Sequence, residues 1–216
     1  ARGLVEFVAT TTERAAIGGT DAPELNEAQR RAFEAVRAAR GFAPFLLHGV
    51  TGSGKTEVYL RLAAEVAARG QQILVLVPEI GLTPQIVDRF RARIDTPLAL
   101  LHSGLAEGER RDAWLAARSG AAGIVIGTRS AVFTPLAHPG LVIVDEEHDP
   151  SFKQQDGFRY SARDLAVVRA RRTGIPVLLG SATPSLEALA NCERGVWSRI
   201  ALPERAGSGR HPTLRL

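Results

Sequence analysis

The sequence is short of several residue types that would place it in particular classes of protein. Cys192 is the single cysteine among 216 residues, so the chain cannot form an internal disulfide or a multi-cysteine zinc site. No apolar run reaches the roughly 18 residues that a membrane-spanning helix needs. The first residues of the sequence do not show the pattern of a signal peptide. We therefore expect a cytoplasmic protein that makes no membrane contact.

Methionine is absent, and lysine is nearly so. Because the sequence contains no methionine and begins at Ala1, we expect it to be part of a longer protein. Only Lys55 and Lys153 are lysines among the 27 basic residues, and the rest are arginines. Arginine and lysine differ in shape and hydration, which draws attention to the two exceptions. The net charge of +4 permits contact with phosphate groups without requiring it.

Apolar runs alternate with segments of helical periodicity along most of the chain. A first helix is predicted at 26–40, with Asn26 as its N-cap. The predicted strands then cover 44–48, 73–77, 98–101, 123–126, 141–144 and 177–179, and the other predicted helices end at Gly70 or cover 84–94, 107–118 and 161–172. This alternation predicts an α/β domain with a mostly parallel sheet and helices on both of its faces. Ligands of such sheets bind at the carboxyl ends of the strands, so we expect the functional residues in the turns that follow them.

The length suits one large domain with a well-buried core. We predict this domain at residues 23–200. Residues 1–22 are predicted to be a linker segment with one short strand candidate at 4–8, and residues 201–216 a second linker, because both stretches are rich in glycine and turn-forming residues.

The segment GVTGSGKT at 49–56 matches the phosphate-binding pattern G-x-x-x-x-G-K-[ST] at every position. It follows an apolar strand and opens a helix, which is the context that the motif requires. Its glycines let successive backbone N–H groups face a phosphate chain, and the helix N-terminus adds its positive end. Lys55 would reach the β- and γ-phosphates of ATP, and the Thr56 hydroxyl would bind Mg²⁺. The predicted nucleotide contacts here are Gly49, Thr51, Gly52, Ser53, Gly54, Lys55 and Thr56.

The apolar run at 141–144 leads directly into the acidic segment Asp145-Glu146-Glu147-His148. Asp145 would hold Mg²⁺, and Glu146 would polarise the water that attacks the γ-phosphate. A solvated acidic turn is the alternative, and these residues alone would favour it. The phosphate-binding pattern earlier in the chain favours the catalytic interpretation. For His148 a surface histidine is the alternative, and its place beside the two carboxylates favours a role in coupling.

A polar segment after the acidic residues is unusually rich in aromatic side chains. It contains, in order, Phe152, Lys153, Phe158, Arg159 and Tyr160. The chain has only 8 phenylalanines and 2 tyrosines, so three within nine residues is a concentration. Aromatic side chains interleaved with cations suit stacking on unpaired bases and contact with phosphates. The alternative is a loop that its aromatic side chains anchor to the core.

Three segments together resemble motifs I, II and III of superfamily 2 helicases: GVTGSGKT at 49–56, DEEH at 145–148 and GSAT at 180–183. Three longer strings closely resemble the PriA family of bacterial replication-restart helicases, also called primosomal protein N′: VPEIGLTPQ at 77–85, GTRSAVFTPL at 127–136 and DEEHDPSFKQQDGFRYSARDLA at 145–166. The resemblance extends from LNEAQ at 25–29 to LPER at 202–205, nearly the whole chain.

The resemblance implies a RecA-like P-loop NTPase domain, the first lobe of a helicase that uses ATP and Mg²⁺. It assigns Gln29 to adenine recognition. Taken without the resemblance, Gln29 would be interpreted as a polar residue on an exposed helix face. Ser181 and Thr183 would link the ATP state to the grip on DNA. Arg129 and Ser130, with Thr128 before them, would contact the DNA backbone. In PriA and the related RecQ helicases, an aromatic-rich loop couples single-stranded DNA binding to hydrolysis, which corresponds here to Phe152, Lys153, Phe158, Arg159 and Tyr160.

The resemblance also implies a wider function. This would be 3′-to-5′ unwinding in replication restart at stalled forks, with single-stranded and forked DNA, primosome proteins and single-stranded-DNA-binding protein as partners. We expect a nucleoid-associated monomer. The family's zinc module and second lobe, with its arginine finger, have no counterpart in these 216 residues.

Two alternatives remain open at this point. One is a different P-loop ATPase or a small-molecule kinase that does not act on DNA. The other is a binding module whose ATP site has decayed, against which the intact Lys55, Thr56, Asp145 and Glu146 argue.

Overall fold

Helices and strands alternate along residues 23–206, the part of the chain that the computed structural model describes. The helices are α1 Glu27–Ala38, α2 Lys55–Ala68, α3 Pro84–Arg93, α4 Glu107–Ser119, α5 Ala162–Thr173 and α6 Leu186–Glu193. The strands are β1 Pro44–Gly49, β2 Gln72–Leu76, β3 Leu98–Leu101, β4 Ile124–Gly127, β5 Pro139–Val144, β6 Lys153–Gln154, β7 Tyr160–Ser161, β8 Val177–Ser181 and β9 Ser198–Leu202. The strand candidate at 4–8 lies outside the described residues.

Seven of these strands form one sheet, in the order β3-β4-β2-β5-β8-β1-β9. All neighbouring strands in it pair in parallel, which confirms the predicted α/β class. Parallel neighbours need crossover connections, and the helices between the strands supply them. The remaining strands, β6 and β7, form a separate antiparallel pair.

The core lies on both faces of the sheet because neighbouring residues of a strand point to opposite sides. On β2, Ile73 and Val75 belong to a cluster that α1, α2 and α3 cover, whereas Leu74 and Leu76 belong to a second cluster beneath α4 and α5. All four side chains are buried. This two-sided burial explains why the central strands are continuous apolar runs.

The ends of the predicted elements agree with the structure to within two residues. At the start of α1, Asn26 caps the helix as predicted: the Gln29 backbone N–H donates to Asn26 Oδ1 at 2.9 Å, and the Asn26 N–H donates to Gln29 Oε1 at 3.0 Å. Within residues 23–206, no helix has the length and apolar character that a membrane crossing requires.

Strand β9 was not predicted, and it extends the sheet beyond the predicted domain end at residue 200. It is an edge strand that is exposed at most of its positions, so its residues lack the apolar run that identified the other strands. The chain then returns to the phosphate-binding segment, where the Ala206 N–H donates to the Gly52 carbonyl at 2.8 Å. The first residues of the predicted second linker are therefore part of the domain.

Candidate functional site

Three neighbouring strands, β5, β8 and β1, end at the predicted nucleotide site. Strand β1 leads into the segment at 49–56, β5 into Asp145, and β8 ends at Ser181. A cleft of about 760 Å³ opens at this edge of the sheet. The predicted residues that line it are Gln29, Thr51, Gly52, Ser53, Gly54, Lys55, Thr56, Asp145 and Glu146. Gly49 is buried behind them.

The conformation of the segment at 49–56, here called the phosphate loop, depends on its glycines. Gly52 and Gly54 have φ angles of 79° and 81°, in the left-handed region that favours glycine. A Cβ atom on Gly54 would also collide with the Gln29 amide, and one on Gly49 would collide with the Ser53 hydroxyl. The loop therefore closes tightly on itself at the start of α2.

The phosphate loop fits a nucleotide with its metal ion. Among the described residues, Ser53 Oγ is the buried side-chain atom without a hydrogen-bond partner. Buried polar groups rarely remain unpaired, so an unsatisfied hydroxyl within a loop of this shape agrees with a bound anion. Thr56 and Asp145 both line the cleft and would hold Mg²⁺, which neutralises charge on the phosphates.

Lys55 connects the phosphate loop to the acidic pair. Only 8% of the residue's surface is exposed, and its ammonium group donates to the Gly49 carbonyl at 3.1 Å. The same nitrogen lies 3.4 Å from Glu146 Oε1. The cation is therefore already positioned between the loop and the predicted catalytic carboxylate.

Glu146 has an unusual backbone conformation, with a φ angle of 45°. This left-handed conformation costs a non-glycine residue about 1–3 kcal/mol and occurs often at functional sites. Hydrogen bonds hold the backbone on both sides of it: the Asp145 N–H donates to the Leu76 carbonyl at 2.9 Å, and the Glu147 N–H donates to the Gly180 carbonyl at 3.0 Å. The end of β2 and the end of β8 thus fix the peptide that carries Glu146.

Tyr59 is a site residue that the sequence analysis missed. It is buried on α2, one turn after Lys55, and its hydroxyl donates to Asp145 Oδ1 at 3.0 Å. The pKa of Asp145 is raised above its ordinary value, because burial and the charge of Glu146 disfavour the ionised form. The hydrogen bond from Tyr59 and the charge of Lys55 oppose this shift. A Cβ atom on Gly180 would collide with the tyrosine hydroxyl, so that glycine makes room for the contact.

We expect Tyr59→Phe to lower the affinity of the nucleotide site for Mg²⁺ about 10–100-fold, as is usual when a group that orients a metal ligand is lost. The variant removes the one hydroxyl that holds Asp145 Oδ1 and leaves the aromatic ring in place. Titration calorimetry of ADP binding at several Mg²⁺ concentrations measures the effect. Tyr160→Phe, at the other tyrosine, is the matched control. Equal Mg²⁺ dependence in the two variants would contradict the role of Tyr59.

The predicted coupling residues lie together beside the acidic pair. His148 Nδ1 is 2.8 Å from Ser181 Oγ and 3.7 Å from Glu146 Oε2, and its Nε2 is 3.3 Å from Thr183 Oγ1. The imidazole thus lies between the predicted catalytic carboxylate and the turn after β8. Their role in coupling stays a prediction.

Gln29 is buried, with only 3% of its surface exposed, so the alternative of an exposed polar helix residue is wrong. Its side-chain amide nitrogen donates to the Ser53 carbonyl at 2.9 Å, which ties α1 to the phosphate loop. Recognition of adenine by Gln29 stays a prediction.

The aromatic segment, residues 150–160 and here called the aromatic loop, divides into a buried base and an exposed tip. Phe152 is only 1% exposed and belongs to the core, so its predicted stacking on bases is wrong: a short helical turn directs this ring inward. Phe158 is 77% exposed. The tip residues Lys153 and Arg159 are exposed, and Tyr160 is partly buried. The anchoring alternative is therefore correct for Phe152, and stacking stays a prediction for the tip.

Two further features surround the aromatic loop. The Tyr160 ring packs edge-on against Phe133 at 4.9 Å between centroids and lies 5.9 Å from the Phe158 ring. The Arg129 guanidinium donates to the Ser151 and Lys153 carbonyls, both at 3.2 Å. Arg129 thus holds the base of the loop, a role that the sequence did not indicate.

The proposed DNA-backbone residues differ in their exposure. Ser130 is exposed, whereas Thr128 is buried and its N–H donates to the Leu101 carbonyl at 3.0 Å. Both line a groove of about 490 Å³ together with Arg129 and Tyr160. Contact of this groove with DNA stays a prediction.

Comparison with known proteins agrees with this arrangement. The profile of the DEAD/DEAH box helicase family matches residues 26–192. The chain is 53% identical over 184 residues to the replication restart protein PriA of Haemophilus influenzae, and 49% identical over 209 residues to that of Synechocystis. These alignments cover 85% and 94% of the chain but 25% of each relative. The structure of RecG bound to a three-way DNA junction matches with a TM-score of 0.62 at 24% identity, over 88% of this chain and 25% of that one.

Proposed function

Because the chain belongs to the DEAD/DEAH box helicase family, we propose that it is the ATP-binding lobe of a superfamily 2 DNA helicase. The whole protein would move 3′ to 5′ and unwind DNA in replication restart at stalled forks. The observation that carries this proposal is the meeting of the phosphate loop, Asp145 and Glu146 with the cluster of His148, Ser181 and Thr183 at one edge of the sheet. The candidate nucleotide site and the candidate relay therefore lie side by side, with His148 Nδ1 at 3.7 Å from Glu146 Oε2.

The chain spans about a quarter of the length of the curated relatives it matches. This supports the proposal that it is one part of a longer polypeptide. We propose that residues 1–22 are a linker, that the lobe begins near residue 23, and that the chain beyond β9 leads to a second lobe. Single-stranded and forked DNA, primosome proteins and single-stranded-DNA-binding protein are the proposed partners. The protein would act as a monomer, in the cytoplasm at the nucleoid.

In this proposal the residues of the chain divide the work of hydrolysis. Backbone N–H groups of the phosphate loop bind the phosphates, and Lys55 stabilises the charge on the γ-phosphate. Glu146 orients the attacking water and accepts its proton. Thr56 and Asp145 would hold Mg²⁺, which neutralises phosphate charge when bound. A change in the position of Glu146 would reach Ser181 and Thr183 through His148.

A small-molecule kinase or another P-loop ATPase is the second function that the sequence left open. The helicase profile covers both the phosphate loop and the turn after β8. This match favours the helicase over the kinase or other ATPase. An ATPase assay with and without single-stranded DNA separates the two functions, because a kinase would not respond to DNA.

Within that assay, we expect Phe158→Ala to lower the stimulation of ATP hydrolysis by DNA and to leave the stability of the fold unchanged. The ring is exposed enough to stack on a base, and each lost stacking contact costs about 1–3 kcal/mol of DNA binding. Phe152→Ala is the matched control: we expect it to destabilise the fold by about 3–5 kcal/mol, because it removes a buried ring. Oligothymidylate-stimulated ATPase rates and urea denaturation measure the two effects. If DNA stimulates ATP hydrolysis by Phe158→Ala as strongly as by the unmodified protein, the exposed tip is not part of the DNA interface.

A further inference from the structure

Glu147 is a buried carboxylate beside the catalytic one, and the proposed function does not use it. Its side chain has no exposed surface, yet both of its oxygens are satisfied. Oε1 accepts from the Ser185 backbone N–H at 2.7 Å, and Oε2 accepts from the Ser185 hydroxyl at 2.9 Å. The third partner is Arg163, whose Nη1 donates to Oε2 at 3.2 Å.

Arg163 is almost as deeply buried and reaches the same serine. Its side chain is 9% exposed, and its Nη1 also donates to Ser185 Oγ at 2.9 Å. Asp164 accepts from Nε at 2.8 Å. Glu147, Arg163 and Ser185 therefore form a closed triangle of hydrogen bonds that joins three separate segments of the chain.

The triangle spans the turn at 181–184, which contains two of the predicted coupling residues. The backbone N–H of Glu147 donates to the Gly180 carbonyl at 3.0 Å, just before the turn, and its side chain holds Ser185 just after it. The same residue fixes one side of the strained peptide at Glu146. A displacement of Glu147 would therefore move both the catalytic carboxylate and the turn.

Arg163 connects this triangle to the aromatic loop over a short path. Phe158 at the exposed tip is followed by β7, which pairs with β6, and then by the first turn of α5. Ser161 caps that turn by accepting from the Asp164 N–H at 3.2 Å. The strand pairing and the helix cap thus form a continuous path from the tip to the guanidinium of Arg163, along which a displacement of the tip would travel.

A buried ion pair is weak evidence for stability, since desolvation of the two charges opposes their attraction and apolar replacements are often as stable. What such a pair supplies is a defined geometry. We propose that Arg163 and Glu147 are positioning residues that transmit DNA contact at the aromatic loop to Glu146 and to the turn at 181–184. This inference rests on the proposed function and adds residues that carry its coupling step.

The test measures ATP hydrolysis by the full protein to which this chain belongs, with and without saturating oligothymidylate. Glu147→Gln keeps the shape of the side chain and removes its charge, and Arg163→Lys keeps the charge and removes the planar fork. We expect each variant to lower the DNA-stimulated kcat about tenfold, within the usual range of coupling between sites. The KM for ATP and the Kd for fluorescein-labelled oligothymidylate should stay close to those of the unmodified protein, and the ratio of DNA-stimulated to basal rate should fall. The double variant should be no worse than the poorer single variant, because residues of one network are not additive.

Arg169→Gln is the matched control on the same helix. Its guanidinium is partly buried and donates to the Val132 carbonyl at 2.7 Å rather than to Glu147 or Ser185. We expect it to lower Tm without changing the ratio of DNA-stimulated to basal rate. Ser185→Ala covers the case in which a charge variant does not fold, because it removes the hydroxyl shared by Glu147 and Arg163 and leaves their charges paired. It should lower the ratio in the same direction.

The outcomes separate the two levels of the proposal. An unchanged ratio in Arg163→Lys and Ser185→Ala would overturn the positioning role while leaving the helicase assignment intact. An equal fall in Arg169→Gln would also overturn it, since loss of stability would then explain the effect. If the unmodified protein shows no stimulation by DNA, the proposed function fails and the inference fails with it.

Discussion

Lys55→Ala should lower ATP hydrolysis by the proposed two-lobe protein by a factor of about 10²–10³, the usual effect of removing one group that stabilises transition-state charge. The ammonium group already lies 3.1 Å from the Gly49 carbonyl and 3.4 Å from Glu146 Oε1, so it needs little reorganisation to reach a γ-phosphate. Its removal also frees Glu146 from its ion pair. Steady-state phosphate release at saturating ATP and DNA measures the change.

The matched control is Arg69→Ala, at the far end of the same helix, where the guanidinium contacts Glu65 on the surface. We expect that variant to hydrolyse ATP at the unmodified rate. Circular dichroism should show that both variants are folded, because an alanine at position 55 is a good helix former in the first turn of α2. If Lys55→Ala is folded and hydrolyses ATP at the unmodified rate, the assignment of the phosphate loop as the phosphate-binding site is wrong.

The second large effect concerns the chain by itself. We expect these 216 residues to bind Mg²⁺-ADP but to hydrolyse ATP about 10³–10⁵-fold more slowly than the protein with its second lobe, which is the contribution of an arginine finger in comparable phosphoryl transfers. The phosphate loop, Lys55, Asp145 and Glu146 line one side of the cleft, so binding should not need a partner lobe. The transition-state charge would lack the arginine that the resemblance assigns to that lobe.

Calorimetry with ADP and Mg²⁺, together with a phosphate-release assay on the same preparation, measures both halves of this prediction. Adding the second lobe in the same chain is the comparison that should restore the rate. Rapid turnover by the 216-residue chain alone would show that it completes its own catalytic site, and the proposal of one lobe of a two-lobe motor would be wrong.

Much of the candidate site could be predicted because its signals are local. The phosphate loop is a run of eight residues between a strand and a helix, and the acidic pair follows directly on a buried strand. In each case, the residues that define the chemistry are neighbours in the sequence. The parallel sheet then brings the two turns to the same edge, as the rule for such sheets predicts.

The residues that were missed depend on contacts between distant segments. Tyr59 and Asp145 are 86 positions apart, and the spacing of Tyr59 on α2 is that of any core residue. The ion pair of Glu147 with Arg163 needs the first turn of α5 to pack against the end of β5. The periodicity of the sequence does not predict such contacts, because strand order and helix packing determine them.

The sequence by itself therefore determined the α/β class, the phosphate loop and the acidic pair, because these follow from local periodicity and from side chains in consecutive positions. Tertiary structure alone decided which aromatic side chains of one loop are buried: Phe152 enters the core and Phe158 stays in solvent, although composition treats them alike. It also decided that Arg129 holds the base of that loop and that an edge strand lies beside β1. The physical reason is that burial and long-range hydrogen bonds are properties of the packed chain, which local sequence does not contain.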